Sequence, residues 1–338
     1  MPLKVLLTGG TGYIGSHTAI ALFLLGHDVV LYDNLSNSKN EVIGKIEQII
    51  GRQMLFIEGD VRDTALLKTT LSAHKIEAVI HFAGLKAVGE SVGNPIDYFT
   101  NNVQGTISLI QAMHSEQIKT LVFSSSATVY GEPKYLPLDE VHPTSAINPY
   151  GRSKIHIEEL LSDVAKSDVN WRIACLRYFN PVGAHQSGLI GDNPKGAPNN
   201  LMPYIAQVAI GIRSKLNVFG GNYATNDGTG IRDYIHVMDL AEGHAAALNF
   251  LNQANGWHAI NLGTGKGYSV LEVVSAFEKA SGSRVPYSVS PRRDGDVAAC
   301  YADPLKAGEL LSWKATRTLE EMCDSTWLFQ KSAELKKN

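Results

Sequence analysis

The chain has few of the features that mark secreted or membrane proteins. Its 338 residues include three cysteines, Cys175, Cys300 and Cys323, which form no C-x-x-C pair and whose odd number argues against a disulfide framework. No apolar run approaches the roughly 18 residues needed to span a bilayer, and residues 1–5 pass into a predicted strand without a secretory signal. We therefore expect a cytoplasmic protein with reduced cysteines and no membrane partner.

The chain also lacks a large excess of positive or negative charge. The 33 acidic and 30 basic residues nearly cancel and leave a formal net charge of −3, so we expect no nucleic-acid partner. No metal site is predicted either. Hydrophobic residues make up 44% of the chain, which is enough for a substantial core in one large or two medium units.

A glycine-rich turn lies near the start of the chain. Residues 5–7 predict a first strand, Gly9, Gly12 and Gly15 follow it, and a helical pattern comes next. This is the context of a dinucleotide-binding loop, in which a Cβ would keep a pyrophosphate away from the N–H groups at the helix start. Asp33 ends the second predicted strand, where a carboxylate can bind an adenosine ribose and would repel a 2′-phosphate. The pattern predicts NAD rather than NADP; the alternative is that Asp33 only starts a turn before Asn34.

Strands and helices alternate up to about residue 180. This rhythm predicts an α/β fold with a Rossmann-type, doubly wound parallel sheet, followed by a smaller mixed α/β C-terminal substrate domain. We expect an NAD-binding domain over residues 1–180 and a substrate-binding domain over residues 181–338, with segments crossing back to the first sheet. The irregular stretch between 180 and 203 is predicted to cover a ligand.

Beyond the first two, the predicted strands are 54–58, 78–82, 120–123, 172–178, 216–219, 232–237 and 258–262, and the predicted C-terminal helices are 238–251 and 270–280.

Tyr150 and Lys154 are the strongest candidates for catalysis. They lie four residues apart on a predicted helix and share a face, so the ammonium can act on the phenolic oxygen. A tyrosine pKa of about 10 is too high for a base at neutral pH, but Lys154 and the positive nicotinamide ring of NAD are expected to lower it. A second pair with this spacing, at positions 130 and 134, contains Gly and Pro and is not expected to form a helical turn.

Ser126 completes the predicted catalytic group. It ends a strand-like run that leads into three serines, and its hydroxyl can bond the substrate hydroxyl and share its proton with Tyr150. Ser124 and Ser125 remain alternatives, because each hydroxyl can also bond the backbone at the strand end. We favour Ser126.

Six segments carry a family resemblance: residues 8–15, 82–90, 124–131, 150–154, 177–185 and 199–204. Over nearly the whole chain they are similar to the UDP-glucose 4-epimerase family of the extended short-chain dehydrogenase/reductase superfamily. The resemblance implies an NAD-dependent isomerase of galactose metabolism that epimerises UDP-glucose and UDP-galactose reversibly at C4, through a transient 4-keto sugar and bound NADH. It also implies a homodimer, paired through predicted helices near 101–113 and 150–164 as a four-helix bundle.

The same resemblance assigns residues to the two ligands. The residues around the cofactor, with the loop glycines included, are Gly9, Gly12, Tyr13, Ile14, Gly15, Asp33, Asn34, Asn37, Ser38, Asp60, Val61, Phe82, Ala83, Gly84, Lys86, Asn101, Tyr150, Lys154 and Phe179. Around the UDP-hexose it places Ser126, Tyr150, Asn180, Asn200, Arg232, Arg293 and Cys300. The planar fork of arginine suits phosphate. Cys300 would line the wall beside the sugar C2 group, where it leaves room for an N-acetyl group, so UDP-N-acetylglucosamine and UDP-N-acetylgalactosamine are expected substrates as well.

Three alternatives use the same scaffold. Related dehydratases and decarboxylases need an additional acid near Ser126, where this chain has Ala127 and Thr128, so pure C4 epimerisation fits better. A non-catalytic sensor of NAD and UDP-sugars would keep the fold, but the intact Ser126, Tyr150 and Lys154 argue against it. A dehydrogenase acting on a free alcohol would release NADH on turnover, and cofactor retention after gel filtration would distinguish it.

Overall fold

The structure is a computed structural model that describes residues 2–194, 196, 198, 200–293 and 295–335. In chain order the strands are β1 Lys4–Thr8, β2 Asp28–Asp33, β3 Leu55–Glu58, β4 Ala78–His81, β5 Thr120–Ser126, β6 Arg172–Tyr178, β7 Asn180–Val182, β8 Leu216–Phe219, β9 Ile231–His236, β10 Gly256–Leu262, β11 Gly267–Ser269, β12 Tyr287–Ser290 and β13 Ala299–Cys300. The α-helices are α1 Tyr13–Leu24, α2 Glu41–Ile50, α3 Thr64–Ala73, α4 Val88–Gly93, α5 Pro95–Tyr98, α6 Gly105–Ser115, α7 Pro149–Ser167, α8 Leu201–Ala209, α9 Val237–Phe250, α10 Val270–Ser281, α11 Leu305–Leu311 and α12 Leu319–Leu335. A π-helix at Phe99–Gln104 leads into α6, and a 3₁₀ turn at Ala127–Val129 follows β5.

The central layer is a sheet whose strands run in the order β3-β2-β1-β4-β5-β6-β10, with each neighbouring pair parallel. Successive residues of a strand face opposite sides. Val5 and Leu7 therefore enter a buried cluster with Ile20 of α1, while Leu6 enters another with Leu67 of α3. Helices cover both faces of the sheet, which confirms the predicted α/β class and the doubly wound Rossmann-type arrangement.

A reversal in strand order marks the ligand edge of this sheet. The order reverses between β1 and β4, and ligands of such sheets bind beyond the carboxyl ends of the strands at that point. β5 ends at this edge and is longer than the predicted strand 120–123, because Ser124, Ser125 and Ser126 stay in register with β6. The serine side chains therefore alternate between the two faces of a strand.

A smaller mixed region lies in the C-terminal part of the chain. β9 pairs with β7 and β13 in parallel and with β11 antiparallel, while β8 and β12 form a separate parallel pair. α8, α10 and α12 pack together around a core that includes Phe277 and Met322. This is the mixed α/β character that the sequence predicts for the residues after 180.

The C-terminal part also contributes to the main sheet, since β10 pairs with β6 and α9 packs against α1. The predicted helices 238–251 and 270–280 are confirmed as α9 and α10. β7 is not predicted, because three residues with Pro181 in the middle show no alternation. The division of the chain at residue 180 stays a prediction.

Part of the stretch predicted to cover a ligand lies outside the described residues, namely Lys195, Ala197 and Asn199, the last of which begins the family segment 199–204. That covering role stays a prediction. A search of the helices in the described ranges finds none with the length and apolar character of a membrane span.

Candidate active site

Helix α7 positions the two strongest catalytic candidates. Asn148 is its N-cap and accepts a hydrogen bond from the backbone N–H of Gly151 at 2.8 Å, and Pro149 is the first helical residue. This start places Tyr150 and Lys154 in the first two turns, four residues apart on one face. Both residues are buried, with 8% and 4% of their surface exposed.

Lys154 is held against β5. Its Nζ donates to the carbonyl oxygen of Ser124 at 2.7 Å and lies 4.7 Å from the centroid of the Phe123 ring. The same atom lies 5.8 Å from the centroid of the Tyr150 ring, so the structure brings the ammonium and the phenol together. Burial lowers the pKa of Lys154 to about 8, and the nearby carboxylate of Glu158 opposes that shift.

The three serines divide between the two faces of β5. The hydroxyl of Ser126 lies on the Tyr150 side, where it lowers the pKa of the phenol, and it also caps the 3₁₀ turn that follows the strand. Ser124 pairs with the hydroxyl of the tyrosine that ends β6. Ser125 faces the opposite side and donates to Oε1 of Glu158 at 2.5 Å. Among the three hydroxyls, that of Ser126 is therefore the one placed beside Tyr150.

The pKa of Tyr150 moves in the direction opposite to the one expected from Lys154. Burial raises it, and the hydrogen bond with Ser126 offsets only part of that rise. The ammonium of Lys154 points at the carbonyl oxygen of Ser124 instead. In the protein chain by itself the pKa of Tyr150 is therefore raised and not lowered, whereas the predicted lowering also depends on the positive nicotinamide ring of NAD.

The second tyrosine–lysine pair forms no helical turn, as predicted: Tyr130 is buried and Lys134 is exposed. Gly131, inside that pair, has a φ of +68°, and a Cβ on it would lie 1.9 Å from the carbonyl oxygen of Ser145. Tyr130 is fully buried, and its hydroxyl donates to Oδ1 of Asn261 at 2.6 Å. The segment therefore forms no helical turn, and its tyrosine is occupied by a structural hydrogen bond.

The turn between β1 and α1 has the shape of a diphosphate site. Gly9 has a φ of +70°, and a Cβ on Gly15 would lie 2.4 Å from the carbonyl oxygen of Gly9. A Cβ on Gly12 would meet only that same oxygen, at 3.2 Å, among the described residues and would otherwise face open space. α1 has no side-chain cap, which leaves the backbone N–H groups of Tyr13 and Ile14 for an anion. The loop thus fits the diphosphate of NAD.

Asp33 lies at the end of β2 beside this turn. Its Oδ2 accepts a hydrogen bond from the backbone N–H of Thr11 at 3.1 Å, and its Oδ1 accepts one from that of Leu35 at 2.9 Å. The hydroxyl of Ser38 lies 3.4 Å from Oδ1 and 2.6 Å from the hydroxyl of Thr11. Asp33 therefore does start a turn, and it also ties the glycine loop to the strand end where a ribose is expected.

Most other predicted cofactor residues follow the strand ends. They are Asp60 and Val61 after β3, and Phe82, Ala83, Gly84 and Lys86 after β4. Asn34 donates to Oδ2 of Asp60 at 3.1 Å, and Arg62 pairs with the same carboxylate at 2.7 Å and holds its pKa well below the usual range. The side chains of Asn37 and Lys86 are exposed.

Tyr13 and Phe179 join the two parts of the chain at the cofactor side. The hydroxyl of Tyr13 donates to the carbonyl oxygen of Gly183, just after β7, at 2.6 Å. Phe179, between β6 and β7, is 5% exposed and shares an apolar cluster with Ala302 and Cys300. Tyr13 therefore contributes more than packing, since it connects the start of α1 to the C-terminal part.

Asn102 is a site residue that the sequence analysis missed. Asn101, the predicted cofactor residue, donates to Oδ1 of Asn102 at 3.1 Å. Asn102 is 1% exposed and bonds the backbone of Leu85 at 2.8 Å and 3.0 Å and the hydroxyl of Ser153 at 3.1 Å. It thereby fixes the loop after β4 against α7, beside Lys154. Its place depends on the π-helical turn, for which the sequence carries no clear signal.

The two predicted phosphate-binding arginines meet at Asp296. The Nε of Arg293 donates to Oδ2 of Asp296 at 2.9 Å, and Nη2 of Arg232 lies 3.8 Å from Oδ1. The guanidinium of Arg293 also lies 4.8 Å from the centroid of the Phe219 ring. The sequence analysis missed Asp296 and Phe219. The spacing of three residues between Arg293 and Asp296 is the signal that could have revealed the carboxylate.

The remaining predicted substrate residues lie on neighbouring elements. Cys300 of β13 pairs with Arg232 of β9, and burial raises the pKa of its thiol to about 11, so it stays a neutral side chain. Asn180 begins β7 and pairs with β9 two residues beyond Arg232. Asn200 precedes α8 and donates to Oδ2 of Asp192 at 3.3 Å. Arg232 and Cys300 are thus cross-strand neighbours, and Asn180 lies further along β9.

Known proteins with a similar sequence or structure act on nucleotide sugars. A family model described as GDP-mannose 4,6 dehydratase matches residues 6–326. UDP-glucose 4-epimerase of Mus musculus is 56% identical over 335 residues, which are 97% of this chain and 96% of the relative. The structure of UDP-glucose-4-epimerase from Stenotrophomonas maltophila, with bound NAD and formylated UDP-arabinopyranose, is 49% identical with a TM-score of 0.97 and 99% coverage of both chains. That of the UDP-Glc/GlcNAc 4-epimerase from Campylobacter jejuni is 37% identical with a TM-score of 0.85, covering 98% of this chain and 99% of its own.

Proposed function

This chain belongs to the UDP-glucose 4-epimerase family of extended short-chain dehydrogenases/reductases, and from that premise we propose which residues perform its reaction. It is an NAD-dependent isomerase that interconverts UDP-glucose and UDP-galactose by reversible inversion at C4. The observation that carries the residue assignment is the buried group of Ser126, Tyr150 and Lys154 at the ligand edge of the main sheet.

Tyr150 takes the proton of the sugar 4-hydroxyl and later returns it. Ser126 lies beside the phenol at the strand end, where its hydroxyl can reach both the phenolic oxygen and the sugar and relay that proton. The glycine turn between β1 and α1 and Asp33 would hold NAD, which would supply an acceptor for the C4 hydride and a positive ring that favours the ionised tyrosine. Lys154 holds α7 against β5 through the carbonyl oxygen of Ser124, so that the phenol and the strand end keep their spacing.

Inversion requires the 4-keto sugar to turn within the site while the nucleotide stays bound. Arg232 and Arg293 converge on one carboxylate, that of Asp296, and two forked donors in this arrangement suit a diphosphate. On the hexose side the proposed wall is the neutral thiol of Cys300, which forms no strong directional bond to a sugar. A firm hold on UDP and a weak hold on the hexose follow from this contrast.

We also infer activity on UDP-N-acetylglucosamine and UDP-N-acetylgalactosamine. Cys300 is small, and it pairs with Arg232 across adjacent strands, which supports its place beside the sugar. A structurally similar protein, the UDP-Glc/GlcNAc 4-epimerase of Campylobacter jejuni, acts on an N-acetylated sugar as well. A wall residue with a short side chain leaves the space that an N-acetyl group needs.

The variant Cys300→Tyr tests this inference. We expect it to lose at least about a hundredfold in kcat/KM for UDP-N-acetylgalactosamine, because the ring fills the space of the N-acetyl group, and to retain activity on UDP-galactose. Cys300→Ala is the matched control and should retain both activities. An equal loss of both activities in Cys300→Tyr would contradict the assignment of this wall.

We further infer a cytoplasmic homodimer in which residues 1–180 hold NAD and residues 181–338 hold the UDP-sugar. In support of pairing, Val92 and Ile96 are 66% and 79% exposed, and their helices α4 and α5 pack on α7, one of the helices expected at the interface. The three cysteines are free, in keeping with a reducing compartment. Light scattering of the purified protein decides between one copy and two.

A further inference from the structure

We propose that Asp233 is a positioning residue for the hexose part of the site, a role that rests on the proposed function as a UDP-hexose 4-epimerase. Asp233 follows Arg232 on β9 and is fully buried. Its carboxylate fixes the segment that carries Cys300 to the loop after β10. The residue would thereby set the place of the wall against which the sugar turns.

The carboxylate of Asp233 accepts hydrogen bonds from two segments that are distant in sequence. Oδ1 accepts from the hydroxyl of Thr264 at 2.6 Å and from its backbone N–H at 3.0 Å. Oδ2 accepts from the backbone N–H of Gly265 at 3.0 Å and from that of Ala302 at 3.2 Å. These donors are uncharged, so the anion is held by several neutral groups that must keep their positions together.

An anion in this position is costly unless those donors stay in place. Burial raises the pKa of Asp233, and the hydrogen bonds from Thr264, Ala302 and Gly265 oppose that rise. Losing one donor would leave part of the charge buried without a partner. Because the buried carboxylate needs all of these hydrogen bonds, it holds the loop after β10 and the residues after β13 in one relative geometry.

The two segments pack against each other at Gly263, beside the proposed sugar pocket. A Cβ on Gly263 would lie 2.6 Å from Cβ of Ala302, 2.7 Å from Oδ2 of Asp233 and 3.2 Å from Cδ2 of Phe179. Ala302 lies two residues after Cys300, and all of these side chains pack without space for one more carbon. A shift of Ala302 would therefore move Cys300 and Phe179, the surfaces proposed to face the hexose and the cofactor.

The phosphate-binding arginines are held by other contacts. Arg232 donates to the carbonyl oxygens of Ile231 at 2.8 Å and Val297 at 2.9 Å. Arg293 donates to Asp296 at 2.9 Å. None of these bonds involves the carboxylate of Asp233. Its loss is therefore expected to disturb the hexose wall and to spare the affinity for UDP.

The variant Asp233→Asn tests the proposal, because the amide keeps the shape of the side chain but turns an NH₂ group toward N–H donors. We expect kcat for UDP-galactose to fall at least about tenfold, with the Kd for UDP unchanged by calorimetry. Alkylation of Cys300 by iodoacetamide, located by mass spectrometry, should become faster as the wall loosens. Thr264→Val is a milder second variant that removes one donor and keeps the charge.

Asp227→Asn is the matched control. The carboxylate of Asp227 also accepts hydrogen bonds, from the hydroxyl and backbone N–H of Thr229 and from the hydroxyl of Ser269. The variant Asp227→Asn should therefore lose thermal stability and keep kcat. Unchanged kcat and unchanged Cys300 alkylation in Asp233→Asn would overturn the positioning role, as would a Kd for UDP that weakens in step with kcat. An inactive wild-type enzyme would instead contradict the proposed function, and the alkylation rates would still decide the role of Asp233.

Discussion

The proposed proton-transfer side and the proposed UDP-binding side of this site are built in different ways. Ser126, Tyr150 and Lys154 are each at most 8% exposed. Ser126 ends strand β5 of the main sheet, and the other two lie on helix α7, which packs against that strand. The side chains of Arg232 and Arg293 are 21% and 55% exposed and are joined through a carboxylate. The first side is buried, and the second is more exposed to solvent.

This difference matches what the reaction demands of each side. Proton transfer needs a fixed geometry, and buried hydrogen bonds are strong because water does not compete with them. An exposed ion pair such as Arg293–Asp296 contributes only about 0–1 kcal/mol, so a phosphate can replace the carboxylate at little cost. The enzyme can therefore exchange its nucleotide contacts while the catalytic group stays in place.

The largest expected effect comes from Tyr150→Phe, which removes the proton acceptor and keeps the ring. We expect kcat for UDP-galactose to fall by about a thousandfold or more, since a positioned acid–base group contributes about 10²–10⁴-fold. The Kd for UDP, measured by calorimetry, should stay the same. A variant within tenfold of wild type would show that the buried side does not carry the proton.

The neighbouring serines give a sharper test of the same side. Ser126→Ala should lower kcat by about ten- to a hundredfold, because the proton relay to Tyr150 is lost. Ser125→Ala is the matched control one position away, facing Glu158. It should cost about 1 kcal/mol of unfolding free energy and leave kcat unchanged. If both variants lose kcat equally, the division of the serines between two faces has no functional meaning.

The charge of Lys154 predicts a pH dependence. Its pKa in the folded chain is lowered to about 8 from the usual value of about 10.5, so activity should fall above about pH 8 as the ammonium is lost. Between about 8 and 10.5 the unfolded state holds the extra proton, and the free energy of unfolding should rise with pH by up to about 1.4 kcal/mol per unit. Urea titrations across this range measure the slope.

The control for this pH effect is Lys154→Met, which keeps the apolar stem and removes the titrating group. Its unfolding free energy should lack the rise between about pH 8 and 10.5 that the wild type shows. Identical slopes in the two proteins would mean that another group produces the pH dependence.

The open side should respond more weakly. Arg293→Met removes one forked donor to the diphosphate and should raise the Kd for UDP by about tenfold, the size of one or two charge-assisted hydrogen bonds. Turnover at saturating UDP-galactose should stay near that of wild type. A collapse of kcat with little change in Kd would reverse the proposed division of labour between the two sides.

Much of the buried side can be predicted from local sequence. The glycine turn, the apolar strands and the four-residue spacing of Tyr150 and Lys154 are short-range signals, and strand ends of a parallel sheet collect such residues at one edge. Ser126 could be favoured, with Ser124 and Ser125 left as alternatives, because the choice depends on which face of β5 each hydroxyl takes. The structure assigns these faces, because β5 extends through all three serines.

The contacts that the sequence analysis missed are long-range or depend on burial. Asn102 acts through a π-helical turn, and Asp233 bonds residues more than thirty positions away. The rise in the pKa of Tyr150 comes from desolvation, which is a property of the packed chain and not of the lysine four residues on. Local patterns therefore identify the catalytic group, whereas its electrostatics and its supports require the fold.

The most direct test of the account is to incubate the purified protein, with no added NAD, with UDP-galactose and to follow the C4 epimers by proton NMR. The account predicts a mixture of UDP-galactose and UDP-glucose with no accumulation of free NADH, because hydride leaves and returns within one site. No conversion, even after NAD is supplied, would contradict it.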